Sequence, residues 1–175
     1  MMRACLCLLF GVVIVALFFA FAGSTDPSPK QSIPPWQRNW SQGTPGGSFL
    51  NYGIGCGSGP LTIVGNGSPD LGEEFGLKMI NGRASSGGFI FLGAVQKSLG
   101  LTVAGMTGCT LYLDPIFSME VAFDPEGVST TSSFGVPDDP FFVGKTIFAQ
   151  GANMDPDSNR LNLTASQGLT ITFGK

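Results

Sequence analysis

Phe117-Ser118-Met119-Glu120-Val121-Ala122-Phe123-Asp124, running on into Pro125-Glu126-Gly127, is the stretch that decides the fold. Phe117, Met119, Val121 and Phe123 fall at alternate positions, with Ser118, Glu120, Ala122 and Asp124 between them. A period of two places one set on each face of a strand, the pattern of an antiparallel sheet half covered by core. Asp-Pro-Glu-Gly then reads as a type I turn that sends the chain back as a hairpin: the Asp side chain bonds its own backbone, Pro sets φ and Gly closes.

The rest of the chain repeats this grammar. Leu169-Thr-Ile-Thr-Phe173 and Leu161-Asn-Leu-Thr164 alternate in the same way. Strands are predicted over 49–54, 61–64, 75–80, 89–95, 110–113, 117–123, 128–134, 146–154, 161–165 and 169–173. Asp155-Pro156-Asp157-Ser158-Asn159 joins one pair, and Ser166-Gln167-Gly168 is read as separating the last two. One helical turn is expected after Asp139, with Asp139 as its cap, Pro140 first and Gly144 as exit. Short strands with turns every 8–12 residues predict an all-β, antiparallel β-sandwich of about 8–10 strands.

Residues 1–22 read as an export signal. Arg3 precedes an apolar run from Ala4 to Ala22, ending in the small-x-small pattern Ala20-Phe21-Ala22. The alternative is a retained anchor, since the run approaches the ~20 residues that span a bilayer. Residues 23–47 read as a flexible linker, holding Pro27, Pro29, Pro34, Pro35 and Pro45 among Ser, Gln and Gly. Residues 48–175 are then the sandwich domain. The linker also carries the two tryptophans, Trp36 and Trp40, which either contact a ligand or fold back to seal an edge of the domain.

Charge excludes several functions. The 9 basic residues less Arg3 leave 8 against 12 acidic ones, a net of −4, and no basic cluster occurs. Nucleic-acid binding needs a basic face and is not expected. Beyond the leader, no membrane contact is expected either. Histidine is absent, which removes His-activated nucleophiles, His general bases and nearly every catalytic zinc arrangement. Glu120 and Asp124 share the polar face of one strand and are the remaining carboxylate pair for a hydrolase, although a solvated face explains them as well. Asp155, Asp157 and Asn159 mimic the opening of a calcium loop, but Arg160 stands where Gly belongs and no closing Glu follows. No cofactor and no catalytic residue is assigned. Three Asn-x-Ser/Thr sequons occur, at Asn39, Asn66 and Asn162.

Cys5 and Cys7 would leave with the leader, so Cys56 and Cys109 are the thiols of the mature chain. In an exported protein they read as one disulfide, the alternative being two separate thiols. The bridge would close about 53 residues and contribute roughly 4 kcal/mol on the chain-entropy model.

Gly55-Cys56-Gly57, Gly65-x-Gly67-x-Pro69, Phe91-Leu92-Gly93, Gly108-Cys109-x-Leu111-Tyr112-Leu113, Asp124-Pro-Glu-Gly127, the 137–144 turn and Ile147-x-Ala149-Gln150 follow in this order. The set resembles an uncharacterised β-sandwich module found at the C-termini of large exported bacterial proteins, over about residues 53–174. The resemblance implies the sandwich fold, an exported location and the Cys56–Cys109 pairing, and no catalytic residues. The module's usual setting has a large N-terminal partner domain, which these 175 residues do not carry.

These readings converge on a secreted or cell-envelope protein that is not an enzyme. It would be a structural or attachment module meeting an extracellular protein or polysaccharide surface. The alternative is a carbohydrate-binding module using Trp36, Trp40, Tyr52 and Tyr112 as exposed aromatics, Tyr112 pointing away from the core by its alternation with Leu111 and Leu113. Cleavage after Ala22 leaves 175 less 22, or 153, residues. Intact-mass measurement of the exported protein is expected to show a chain beginning at Gly23.

Overall fold

The alternation at 117–124 and 169–173 is realised as two antiparallel sheets packed face to face. The structure, a computed structural model, describes residues 46–59 and 61–175. The leader, nearly all of the linker, and Trp36 and Trp40 lie outside the described residues. Among the described residues ten strands are formed: β1 (Ser48–Tyr52), β2 (Thr62–Gly67), β3 (Glu74–Ile80), β4 (Gly87–Gly93), β5 (Gln96–Gly100), β6 (Thr110–Leu113), β7 (Phe117–Ala122), β8 (Ser132–Gly135), β9 (Thr146–Met154) and β10 (Leu163–Thr172). A five-stranded sheet in the order β1-β10-β9-β4-β7 faces a three-stranded sheet in the order β2-β3-β8. β5 and β6 form a separate hairpin. The fold is an all-β antiparallel sandwich.

The core lies between the two large sheets, and the alternating residues build it. Val121 and Phe123 from the β7 stretch, and Leu169, Ile171 and Phe173 from the β10 stretch, meet Leu61, Ile63, Leu77 and Met79 of the opposite sheet. Phe117 begins its strand beyond the cover of the core and is 42% exposed. Phe75 organises one end, its ring 5.3 Å from Phe134, 5.8 Å from Phe49 and 6.4 Å from Phe173. Such ring pairs stabilise beyond the area they bury.

The turns behave as their chemistry dictates. Asp124 Oδ1 accepts from the amides of Glu126 (3.0 Å) and Val128 (2.8 Å), and Gly127 takes the left-handed φ of 76° that closes the turn. Asp139 Oδ1 caps the 3-10 turn Pro140–Phe142 by accepting from the Phe141 amide at 2.9 Å. The Asp155–Asn159 segment connects β9 to β10, which pair antiparallel.

Three strand readings are corrected. Ser166-Gln167-Gly168 does not separate two strands. It is a bulge inside one long strand, with the register against β9 shifting between Ala165 and Gly168. Ser166 uses the irregularity, its Oγ accepting from the Gly151 amide at 2.8 Å while donating to the Gln167 carbonyl at 2.7 Å. The 128–134 stretch is not one strand: after the Phe123–Ser129 bridge the chain leaves β7 and joins the other sheet as β8 beside β3. Its β-branched run therefore forms the corner between the sheets. β5 was not foreseen because Gln96-Lys-Ser-Leu-Gly100 has no buried face at all. Pairing with β6 makes it a strand.

The outer face of the five-stranded sheet carries a third layer. Gln150 points away from the sandwich core yet is only 2% exposed, because β6 covers it. Its Oε1 accepts from the Tyr112 amide at 2.9 Å, and its Nε2 donates to the carbonyls of Thr110 and Ser166, both at 2.9 Å. Next to it Cys56 and Cys109 are bonded, with Cα atoms 5.1 Å apart, and they pack with Met106, Ala165, Leu101 and Leu163. Gln150→Leu keeps the volume but strands three backbone groups. Each is expected to cost about 1–3 kcal/mol if left unpaired, read as a lower urea midpoint with an unchanged slope.

Candidate functional site

Among the described residues two places gather chemically useful side chains, and the first is aromatic. Gly53 turns with φ 70°, and a Cβ there would meet the Tyr112 ring at 2.3 Å, so only glycine lets that ring close down. A Cβ on Gly168 would likewise meet the Tyr52 ring at 2.3 Å. The two tyrosines pack edge to face at 5.6 Å, with Phe148 6.1 Å from Tyr52. Tyr52 donates to the Tyr112 carbonyl at 3.1 Å. The Tyr112 hydroxyl accepts from the Ile54 amide at 2.8 Å and faces the Ile54 carbonyl at 3.1 Å. Burial, then the neighbouring Tyr112, pushes the Tyr52 hydroxyl up to about 12.

Tyr112 does leave the sandwich core, as its alternation predicts. It does not present a free face, since it meets Tyr52 and pins the loop that carries Cys56. Tyr52 and Tyr112 are thus half-buried structural partners, with their rings against each other and their hydroxyls on backbone.

The second place is a polar cleft of about 360 Å³ at the end of the sandwich where β9 hands over to β10. Three loops meet there. The Cys56 bridge and the Tyr112 hydroxyl position the first, which brings Ser58. The second is the β3–β4 connection around Arg83, held by Asn153: Asn153 Oδ1 accepts from the Arg83 amide at 2.8 Å, and its Nδ2 donates to Ser86 Oγ at 2.7 Å and the Gly87 carbonyl at 3.0 Å. The third is the turn after β9, where the Asp155 amide donates to the Asn162 carbonyl at 2.8 Å and the Ser158 amide to the Asp155 carbonyl at 3.1 Å.

The charges of these loops converge. Arg83 Nη1 lies 3.0 Å from Asp155 Oδ1 and 2.7 Å from Asp157 Oδ2. Ser58 Oγ donates to the other oxygen of Asp155. The Asp155 side chain is 8% exposed while that of Asp157 is 80% exposed. The Ser58 hydroxyl above all, then the Arg83 guanidinium and the Asp157 amide, hold the Asp155 carboxyl below the usual carboxylate range, against the opposing effect of burial. Asp157 and then Asp155 raise Arg83 in turn.

The calcium-like trio is therefore split. Asp155 and Asp157 turn to Arg83, and Asn159 turns into its own loop, its Oδ1 accepting from the Leu161 amide at 3.1 Å and its Nδ2 donating to the Leu163 carbonyl. Among the described residues no group of three His, Cys, Asp or Glu side chains could hold a metal ion. Of the hydrolase pair, Asp124 is committed to its turn, and Glu120 sits exposed opposite Phe89. Arg83, Ser58 and Asn153 escaped the sequence reading. Arg83 lies 72 residues from Asp155, and no periodicity spans such a separation.

No family model matches the chain, and no curated protein or solved structure is significantly similar to it.

Because the folded Asp155 carboxyl titrates below its unfolded value of ~3.9, it adds stability above that value and loses it as pH falls through the folded one. Thermal unfolding followed from pH 6 to pH 2 is expected to show a shallower acid limb in Asp155→Asn, which is less stable than the parent at pH 6 and approaches it as the pH falls.

Proposed function

We propose that the chain is an exported, non-catalytic sandwich that works by contact with an extracellular surface, as a cell-envelope or matrix attachment module. The observation that carries this reading is the exposure of large apolar side chains at both edges of the five-stranded sheet. Leu50 on β1 is 67% exposed and Ile54 just beyond it 80%; at the opposite edge Ile116 is 69% exposed and Phe117 42%. In a chain only 12% charged, exposed apolar side chains at sheet edges suit contact with a partner surface. The Cys56–Cys109 bridge suits an oxidising compartment, and the resemblance to an exported sandwich module points the same way.

Saccharide binding is the second reading, and the polar cleft favours it over the tyrosines. Tyr52 and Tyr112 spend their faces on each other, whereas Arg83 and Asp157 reach solvent.

Co-sedimentation of the exported protein with cell-wall material and with insoluble polysaccharides tests the first reading. Retention on at least one surface is expected. Burying an apolar side chain contributes ~1.5–3 kcal/mol, so Leu50→Asp with Ile54→Asp is expected to weaken retention tenfold or more. A protein that stays in the supernatant with every surface overturns the proposal.

A further inference from the structure

We infer that the polar cleft is a saccharide site, in which Arg83, Asp157 and Asn81 bind paired hydroxyls of an uncharged sugar. The inference rests on the reading of the chain as a surface-contact module and names one ligand class for it. At about 360 Å³ the cleft falls within the ~300–1,000 Å³ of small-ligand sites. Six polar side chains line it, Ser58, Asn81, Arg83, Asn153, Asp155 and Asp157, with glycine backbone and Thr164 between them, and its exposed lining is as much apolar as polar. A ligand that offers hydroxyls together with C–H surface, as a sugar ring does, matches such a lining.

The available groups narrow the class further. Arg83 uses Nη1 for both aspartates, so Nη2 and Nε have no protein partner among the described residues. The Arg83 side chain is 45% exposed, and that of Asp157 beside it is 80% exposed with its Oδ1 unused. A fixed fork of N–H donors next to a carboxylate acceptor matches two neighbouring hydroxyls, each of which can accept from one and donate to the other. Asn81 adds an exposed amide, able to give and to take, from the same loop. An anionic ligand is disfavoured because two carboxylates outnumber the one guanidinium. A bare cation is disfavoured because the guanidinium already occupies the space between them.

The fork is preorganised. Asp155, 5% exposed, holds Nη1 from behind and is itself held by Ser58, while Asn153, 1% exposed, fixes the Arg83 backbone. Arg83 is thus already in place before a ligand arrives, which limits the entropic cost of ordering it.

The test is an NMR titration of the 15N-labelled, exported and oxidised protein with cellohexaose, xylohexaose, laminarihexaose and N-acetylated chitohexaose. At least one is expected to shift the amides of Ser58, Asn81–Arg83 and Asp155–Asp157 in a saturable manner. Asp157→Asn, on a side chain too exposed to affect folding, is expected to weaken that binding at least fivefold. Arg83→Ala is expected to abolish it, with an amide spectrum outside the loop that still reports the native fold. Val103→Ala, at a fully exposed position away from the cleft, is expected to leave it unchanged. Absence of shifts with every oligosaccharide overturns the inference, as do shifts centred on Tyr52 and Tyr112, equal affinity in Asp157→Asn, or saturable shifts of these amides with calcium alone. If the parent and Asp157→Asn pellet equally with a polysaccharide or wall, the cleft assignment falls and the attachment reading stands. If the parent pellets with nothing while a soluble oligosaccharide binds the cleft, the attachment reading falls alone.

Discussion

The structure depends on burying strand β9 from both sides. Ala149, Gln150, Gly151 and Ala152 succeed one another with no exposed face. Layers press on each side of them, so the strand is built from small residues: a Cβ on Gly151 would meet Met79 Sδ at 2.1 Å. The exception is Gln150, buried on the side away from the main core. A long polar side chain is stable there because each of its polar atoms meets a backbone group, two on β6 or beside it and one in the β10 bulge. That network docks the β5–β6 hairpin, and the Cys56–Cys109 bridge locks the hairpin to the loop before β2. The disulfide thus supports a layer that a polar side chain also seats. β5 is exposed throughout and adds no apolar burial of its own, so the hairpin is held through β6 and the Leu101–Cys109 connection.

What was legible in the sequence follows from the same arrangement. Strands with one buried face, such as β7 and β10, show period two, and their turns show it in residue type. β6 and β9 were also recovered at their full lengths, 110–113 and 146–154. The reading fails where a strand buries no face, leaves its ladder or changes sheet. β5 buries neither face and reads as loop. The Ser166–Gly168 bulge has the composition of a turn, because a bulge and a turn both need small residues that leave the regular ladder. The stretch after Gly127 has strand propensity from end to end, yet propensity says nothing of which sheet a strand joins.

The candidate site was half legible for a different reason. Asp155 and Asp157 drew attention through their local spacing, which suggested a cation. The structure supplies one from elsewhere in the chain, the guanidinium of Arg83, and the same spacing serves an ion pair. In both cases the sequence carries the demand for a positive charge without its source. The tyrosines are the converse: their types were right for ligand contact, but two glycines 115 residues apart in the chain, Gly53 and Gly168, let the rings sink against backbone and each other.

The cleft and the stretch that decides the fold are mechanically one. Asn81 and Ser85 flank Arg83 with positive φ of 61° and 53°. Asn tolerates this conformation, whereas for Ser it costs of order 1 kcal/mol and persists only where the surroundings enforce it. The surroundings are the turn at 124–127. The Gly82 amide donates to the Gly127 carbonyl at 2.9 Å and the Ser85 amide to the Asp124 carbonyl at 3.0 Å. Gly82 itself lies where a Cβ would meet the Phe123 ring at 2.2 Å. The last core residue of the alternating stretch and the turn after it therefore hold the β3–β4 loop from beneath, while Asn153 holds it from the side. Arg83 owes its position to the turn that the sequence announces most plainly.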